Sequence, residues 1–330
     1  MGSNFKILSI DGGGIKGLYS ARILENIEKK FDCRVSDYFD LICGTSTGGL
    51  IALALSLKIP ASQIATFYVE EGPKIFPKQN IVTQLFKQIL FKGKFNNKQL
   101  KKVLIDLFGD STLSESNNII CLPSYSLVDA RPWVFKYHNS DSDYNRDNDT
   151  TYVDVALSTS AAPTYLPIFQ IPHYDNRLFI DGGIWANNPS LVGLLEALRF
   201  FVGQDKDYKK IDLLSISSLS MQEGTRTDIW KKRPFIMWRN DLFEASLNGQ
   251  SFFNDFFMSQ LSKSSSIPVH YYRIPSEEVS KKQASLISLD NTKKSAIDLI
   301  NAKGNDRGIV EVKKSELGYF FKNKKSYKIY

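Results

Sequence analysis

The chain has 330 residues, 42% of them hydrophobic and 23% charged, and a formal net charge of +7. These proportions are ordinary for a globular protein, and no apolar run reaches the ~18 residues that would span a bilayer. The basic charge suits an anionic lipid surface as well as nucleic acid, but no nucleic-acid recognition motif accompanies it, so we predict no nucleic-acid partner. Nothing in the middle of the chain resembles a linker, and residues 1–330 are predicted to form one domain.

The cysteines bear on the compartment. Cys33, Cys43 and Cys121 are odd in number and follow no metal-binding or disulfide spacing. The first predicted strand begins at Phe5, which leaves no room for a secretory signal peptide. These observations predict free thiols in a reducing cytoplasm, with no metal site.

The first predicted elements are a strand at residues 5–10 and a helix at about 18–31, joined by Asp11-Gly-Gly-Gly-Ile-Lys-Gly17. The spacing Gly12-x-Gly14-x-x-Gly17 also satisfies the dinucleotide-binding fingerprint, which requires an acid at the end of the second strand. The second predicted strand, 39–43, has no such acid and leads into a serine motif instead. A glycine loop that enters a helix presents free backbone N–H groups, and such an array binds anions.

The serine motif is Gly44-Thr-Ser-Thr-Gly48, between the strand at 39–43 and an apolar helical run at 49–57. Strand, sharp turn and helix in this order indicate a nucleophile elbow, in which the flanking glycines allow a tight turn. The Oγ of Ser46 then projects at the carboxyl end of the strand, beside a helix N-terminus that stabilises negative charge. Next to such a serine, the glycine loop would serve as an oxyanion hole.

The remainder of the first 220 residues predicts helices and strands in alternation. In chain order these are helix 61–71, helix 97–108, strands 119–122, 125–129 and 133–137, helix 153–160, strand 178–181, helix 190–202 and strand 211–217. Gly72-Pro73 is expected to end the first of these helices. The alternation predicts an α/β fold, with a mainly parallel central sheet and helices on both faces.

The strand at 178–181 ends in an acid. Asp181 is followed by Gly182 and Gly183, which predicts a turn directly after it. If the sheet is parallel, a carboxylate at the carboxyl end of a strand lies at the same edge as the serine elbow.

Two segments combine aromatic or aliphatic residues with charge, and each has two interpretations. Residues 72–105 contain eight lysines and no acid, interleaved with isoleucine, leucine and phenylalanine. They fit a basic amphipathic segment on an anionic membrane or a solvated helix face over an ordinary core. Residues 234–261, rich in phenylalanine, fit a lipid-facing lid or a core helix.

The chain resembles the patatin-like phospholipases in three ordered motifs, at 11–17, 44–49 and 181–183, and in two supporting blocks, at 158–167 and 187–189. The resemblance covers about residues 5–200 and leaves 201–330 as a C-terminal part of the same unit. It implies a three-layer α/β/α fold and an acyl hydrolase that cleaves membrane glycerophospholipids, without a metal or a cofactor.

Carried over to this sequence, the resemblance makes Ser46 the nucleophile and Asp181 its base, with Gly13 and Gly14 donating the oxyanion-hole N–H groups. The supporting positions are Gly12, Lys16, Gly17, Gly44, Gly48, Gly182 and Gly183. The family often has arginine where this chain has Lys16, and lysine keeps the charge but lacks the bidentate fork. Since an ordinary aspartate has a pKa of ~3.9 and is a poor base near neutral pH, burial of Asp181 is expected to raise it.

The neighbourhood Phe67-Tyr-x-x-x-Gly-Pro-x-Ile-Phe-Pro77 looks like bacterial members of the family. Some of those are anti-phage effectors that a cyclic nucleotide switches on to degrade the membrane of their own cell. The resemblance therefore implies membrane phospholipids as substrate, action at the inner membrane surface and a cyclic nucleotide activator, whose pocket the sequence does not place. It leaves a homo-oligomer open.

Two alternatives to the dyad enzyme exist. An α/β-hydrolase triad of Ser46, Asp181 and His270 has the expected chain order, but that fold normally builds several strands before the elbow, and the glycine loop would go unused. A catalytically inactive lipid-binding or nucleotide-binding relative is the other alternative, and the intact Ser46 and Asp181 argue against it.

Overall fold

The computed structural model describes residues 4–77, 95–138, 144–220, 235–264, 266–280, 283 and 286–328, and for 235–241 it describes the backbone alone. Residues 78–94, which hold much of the lysine-rich segment 72–105, lie outside these ranges. The two interpretations of that segment therefore stay open.

Within the described residues, eight strands form one sheet. They are β1 Phe5–Ile10, β2 Leu41–Gly44, β3 Ile119–Ser126, β4 Arg131–Tyr137, β5 Phe169–Ile171, β6 Arg177–Asp181, β7 Ile211–Ile216 and β8 Val269–Ile274. Their order across the sheet is β5-β6-β3-β2-β1-β7-β8, and β4 pairs with the other edge of β3. Because β8, β7, β1, β2 and β3 run parallel, the predicted mainly parallel sheet is confirmed.

Helices cover both faces of the sheet. They are α1 Gly17–Phe31, α2 Thr47–Ser56, α3 Ala61–Ile75, α4 Lys98–Phe108, α5 Tyr152–Thr159, α6 Gly183–Ala186, α7 Ser190–Phe200, α8 Phe235–Ser264, α9 Lys294–Glu311 and α10 Ser315–Phe320. The central strands are apolar on both sides, as a doubly covered sheet requires. In β1, Leu8 and Ile10 join the core under α1 and α2, whereas Phe5 and Ile7 join the core under α7 and α8.

The strand that carries Asp181 departs from the sequence expectation. β6 runs antiparallel to β3, with Asp181 opposite Ser124, whereas β2 runs parallel to β3, with Cys43 opposite Cys121. The two strands therefore approach each other head to head along the same edge of β3. Asp181 reaches the end of β2 for this reason, and the premise of a parallel strand was wrong.

Two predicted boundaries are also corrected. The helix at 61–71 does not end at Gly72, because α3 continues through Pro73 to Ile75. A Cβ on Gly72 would lie 2.5 Å from Ile15 Cδ1, so the glycine allows α3 to pack closely on the glycine loop. The predicted strand 125–129 does not exist as a separate element, since Tyr125 and Ser126 complete β3 and residues 127–130 form the turn into β4.

The C-terminal part of the chain completes the same sheet and packs against the amino ends of β1 and β2. It supplies β8, which was not predicted, and α9, which packs along α1. The Lys6 Nζ donates to the carbonyls of Phe320 and Asn323, both at 2.6 Å. Asp40 Oδ1 accepts the backbone N–H groups of Ser326 and Tyr327 at 3.0 and 2.8 Å. These contacts hold residues 320–327 against the sheet, so the C-terminal tail has a structural role.

Candidate active site

Ser46 lies in the sharp turn between β2 and α2. Its backbone has φ 54° and ψ −122°, a conformation that a residue with a side chain rarely adopts. The turn is held by hydrogen bonds from Gly48 N to Thr45 O, at 2.8 Å, and from Ser46 N to Thr159 Oγ1, at 3.1 Å. The backbone strain expected of a nucleophile elbow is therefore present at the predicted serine.

The two flanking glycines permit this turn. A Cβ on Gly44 would collide with the carbonyl of Gly48, and a Cβ on Gly48 would collide with the carbonyl of Ile10. The helix α2 therefore begins directly against the end of β1. This close approach explains the glycine on either side of the serine in the sequence.

The Ser46 hydroxyl faces the Asp181 carboxylate closely enough to favour its ionised form by hydrogen bonding. Asp181 Oδ1 also accepts the backbone N–H of Gly183 at 2.6 Å, so the turn formed by Gly182 and Gly183 orients the side chain. Burial raises the pKa of Asp181 to about 7, against the opposing effect of these two hydrogen bonds. The structure thus brings the two predicted residues into direct contact.

The glycine loop lies beside this pair, and neighbouring elements hold it. Gly12 N donates to Asn187 O and Ile15 N donates to Leu289 O, both at 2.9 Å. Gly14 has φ +59°, in the left-handed region that favours glycine. Across the described ranges, the N–H groups of Gly13 and Gly14 donate to no protein acceptor, and both glycines line the same pocket as Ser46.

Lys16 is buried at the end of the loop rather than solvated. Burial lowers its pKa, and the carboxylate of Glu244 on α8 partly offsets this effect. The next residue, Gly17, packs so closely on the elbow that a Cβ would collide with the Thr47 hydroxyl. The Lys16 side chain therefore lies beneath the glycine loop and beside the elbow.

The pocket in front of Ser46 is about 770 Å³, its opening included. Apart from Ser46, Asp181 and the glycine loop, its lining is mainly aliphatic and aromatic. The apolar residues that line it are Ile15, Leu50, Phe67, Tyr68, Ile75, Phe76, Leu100, Ala162, Tyr165, Leu166, Phe243, Leu247 and Leu289. Such a cavity suits a hydrocarbon chain attached to the group that reacts at Ser46.

The histidines lie away from this pocket. His270 is close to the amino end of β8, where its Nδ1 is 3.7 Å from Asp212 Oδ1. His138 is buried against Glu196, with 2.6 Å between Nε2 and Oε1, and His173 packs on Tyr174. The triad of Ser46, Asp181 and His270 is therefore not assembled. His270 is near the amino end of its strand, whereas Ser46 follows the carboxyl end of β2. The described residues also contain no cluster of His, Cys, Asp or Glu that could hold a metal ion.

Several residues that hold the site were not singled out by the sequence. Ser218 Oγ donates to Gly12 O at 2.7 Å, and Leu289 packs against Gly14. Asn187, which belongs to the supporting block 187–189, accepts the N–H of Gly12 through its backbone carbonyl and donates through Nδ2 to Ser251 Oγ of α8 at 2.9 Å. Ser218 and Leu289 are single residues with no surrounding motif. Of these residues, Asn187 alone lies in a recognisable sequence block, Asn187-Asn-Pro189.

Comparison with known proteins agrees with this geometry. Residues 8–193 match the model of the patatin-like phospholipase family, and the chain belongs to this family of lipid hydrolases. The family assignment confirms the resemblance seen in the motifs and the predicted three-layer fold.

Two bacterial relatives align along nearly the whole chain, and both are named cGAMP-activated phospholipase. The protein from Pseudomonas aeruginosa is 29% identical over 91% of this chain and 87% of its own length. The protein from Escherichia coli is 29% identical over 93% of this chain and 89% of its own length. Patatin-like protein 2 of Arabidopsis thaliana is 36% identical over 63% of this chain and 56% of its own length.

Proposed function

We propose that this protein is a phospholipase of the A type that cleaves the acyl esters of membrane glycerophospholipids through Ser46 and Asp181. The observation that carries the proposal is that the Ser46 hydroxyl faces a buried carboxylate whose pKa is raised by burial to about 7. At that pKa, about half of the Asp181 side chains are ionised at neutral pH and can accept a proton. The strained backbone of Ser46 supports the same assignment.

The reaction follows from this arrangement in two halves. Asp181 accepts the Ser46 proton as Oγ attacks the ester carbonyl, and the tetrahedral intermediate collapses to an acyl-enzyme while Asp181 returns the proton to the departing lysolipid alkoxide. Water then attacks the acyl-enzyme, with Asp181 as base. The fatty acid is released and Ser46 recovers its proton.

The negative charge of each tetrahedral intermediate is assigned to the glycine loop. Gly13 and Gly14 have unused backbone N–H groups among the described residues and line the pocket together with Ser46. Such donors stabilise an oxyanion without reorganising during the reaction.

We further propose that a cyclic nucleotide activates the enzyme at the inner surface of the membrane, in defence against phage. The support is that the two relatives that align over 91% and 93% of this chain are both named cGAMP-activated phospholipase. The cytoplasmic location is inferred from the free cysteines of the sequence, of which Cys43 and Cys121 are buried.

The proposal is tested with a soluble short-chain ester and with a fluorophosphonate probe, each with and without cGAMP. Ser46→Ala and Asp181→Asn are expected to abolish ester hydrolysis, and Ser46→Ala to abolish labelling, while the folded structure is retained. The matched controls are Ser62→Ala and Asp106→Asn, which change exposed residues outside the pocket. Unchanged hydrolysis in either dyad variant would contradict the proposed mechanism. Failure of the parent protein to hydrolyse esters would contradict its assignment as an ester hydrolase.

A further inference from the structure

The outer face of α8 exposes four phenylalanines. Phe252 is 78% exposed, Phe253 63%, Phe256 60% and Phe257 38%. Their spacing places them on one side of the helix, as two adjacent pairs one turn apart. Scattered exposed apolar residues are normal, but four aromatic rings in one place are not. We call these four residues the phenylalanine patch.

The helix surface around the patch carries a single charged residue. From residue 245 to residue 260, the exposed positions other than the patch are Ala245, Ser246, Asn248, Gly249 and Gln260. The one charged residue of this stretch, Asp255, accepts a hydrogen bond from Tyr271 at 2.9 Å and lies 3.9 Å from Arg273 Nε. A helix face that meets water normally carries charged side chains, so this face is built for an apolar environment.

The opposite face of α8 belongs to the active site. Phe243 and Leu247 line the pocket in front of Ser46. Further along, Asn254 Nδ2 donates to Asn188 O at 2.8 Å, which fixes the helix on the turn that follows Asp181. Because a helix rises about 1.5 Å per residue, Phe252 is roughly 7.5 Å along the axis from Leu247. The patch and the pocket wall are therefore two sides of the same short length of helix.

We propose that the phenylalanine patch docks on the surface of a lipid bilayer, which holds the pocket wall on the other side of α8 about one helix diameter, roughly 10 Å, from the membrane. This inference rests on the proposed function, because it places the pocket where its phospholipid substrate is. The area also favours a bilayer over a second copy of the chain. At roughly 200 Å² for each phenylalanine, the patch exposes on the order of 500 Å², below the ~800 Å² that each partner buries in a stable protein interface.

The docking is a surface insertion and not a membrane crossing. Of the helices in the described ranges, none is long and apolar enough to cross a membrane. Rings inserted at the boundary between headgroups and acyl chains bind through the hydrophobic effect, which salt screens little. The lysines outside the patch would add an electrostatic contribution that salt does remove. The proposal therefore predicts a component of vesicle binding that persists at high salt.

The test measures co-sedimentation with vesicles of phosphatidylethanolamine and phosphatidylglycerol at high salt, with and without cGAMP. All proteins carry Ser46→Ala, so that the vesicles are not degraded. Phe252→Ser combined with Phe256→Ser is expected to lower partitioning about tenfold or more, since two large apolar groups are lost from the membrane. The matched control is Ile309→Ser with Val310→Ser, which removes two exposed apolar side chains from the far end of α9.

Two further measurements separate this inference from the proposed function. With Ser46 intact, the patch variant is expected to keep its turnover of a soluble short-chain ester and to lose hydrolysis of vesicle phospholipid. Equal vesicle binding by the patch variant and the control, or no binding by the parent, would overturn the docking and leave the esterase assignment standing. If the patch variant shifted from dimer to monomer in sedimentation with vesicle binding unchanged, the patch would be an interface between copies.

Discussion

Arg273 donates two hydrogen bonds to the Asp11 carboxylate, with 2.6 Å between Nη2 and Oδ2 and 3.2 Å between Nη1 and Oδ1. Arg273 is near the carboxyl end of β8, and Asp11 directly follows β1, two strands away. The guanidinium crosses β7 and also donates to Ser215 Oγ at 2.5 Å. Asp11 begins the glycine loop, so a residue outside the family match at 8–193 fixes the base of the candidate oxyanion hole.

This pair is expected to be charged and important for stability. Burial disfavours the charge on Arg273, but the Asp11 carboxylate outweighs this effect and raises the pKa of Arg273 above its usual value. Arg273→Gln leaves a buried carboxylate without its partner, a change that costs about 3–5 kcal/mol in the free energy of unfolding. Urea unfolding at neutral pH measures this loss.

The control for Arg273→Gln is Arg199→Gln, because Arg199 is an exposed arginine on α7. Adding Asp11→Asn to Arg273→Gln removes the unpaired charge and is expected to recover part of the stability. If Arg273 positions the loop, the Arg273→Gln variant is also expected to lower kcat by a larger factor than it raises KM. An unfolding free energy equal to that of the Arg199 variant would show that the pair contributes nothing.

The activity is expected to rise with pH through about 7. Burial raises the pKa of Asp181 to about 7, and the carboxylate accepts the Ser46 proton only when it is ionised. The logarithm of kcat/KM for a soluble short-chain ester should therefore increase with a slope of about one below that pH and level off above it. A profile that is flat between about pH 5 and pH 8 would argue against Asp181 as the base.

The same carboxyl group is expected to make the fold less stable at high pH. Burial raises the pKa of Asp181 to about 7 in the folded chain, whereas an unfolded aspartate has a pKa of ~3.9. The stabilisation that the protonated carboxyl gives the fold is therefore fully present below the unfolded pKa. It is lost as pH rises through the higher value. From about pH 5 to about pH 8, Asp181 should reduce the free energy of unfolding by roughly 2–3 kcal/mol. Urea unfolding of Asp181→Asn, compared with the parent, isolates this contribution, and parallel pH dependences would contradict it.

The sequence was sufficient for the parts of the site that are contiguous in the chain. Gly44 and Gly48 bracket Ser46 because the turn has no room for a Cβ there, so local sterics leave a recognisable motif. Asp181 was also found, but for a partly wrong reason, since it reaches Ser46 on a strand antiparallel to β3. Strand direction depends on pairing between distant segments, and five residues of β6 do not encode it.

The parts that the sequence did not predict come from single residues on distant elements. Ser218, Arg273 and Leu289 support the glycine loop from the C-terminal part of the chain. Serine, arginine and leucine are common, and nothing next to them indicates their role. Pro73 gave a misleading signal, because the last turn of α3 continues for two residues beyond it.

His270→Ala is expected to leave ester hydrolysis unchanged within about twofold. The imidazole is four residues, roughly 13 Å along the strand, from the carboxyl end of β8, and it packs on Phe320. A dyad enzyme does not need it, whereas a triad enzyme would lose its base. The assay is kcat/KM for a soluble ester, with thermal unfolding to correct for the lost ring contact. A large loss of kcat in a folded variant would restore the triad.

Gly14→Ala is expected to reduce kcat by about 10²–10³-fold, the usual effect of losing one oxyanion donor. Gly14 has φ +59°, and a Cβ there would collide with the carbonyl of Leu289, so the loop must move. Gly109→Ala is the matched control, because Gly109 has φ +57° but its Cβ would meet nothing within 4 Å. Both variants place a side chain on a residue with positive φ, so the control carries backbone strain without the collision. If they hydrolysed a soluble ester equally well, the Gly14 N–H would have no part in the reaction.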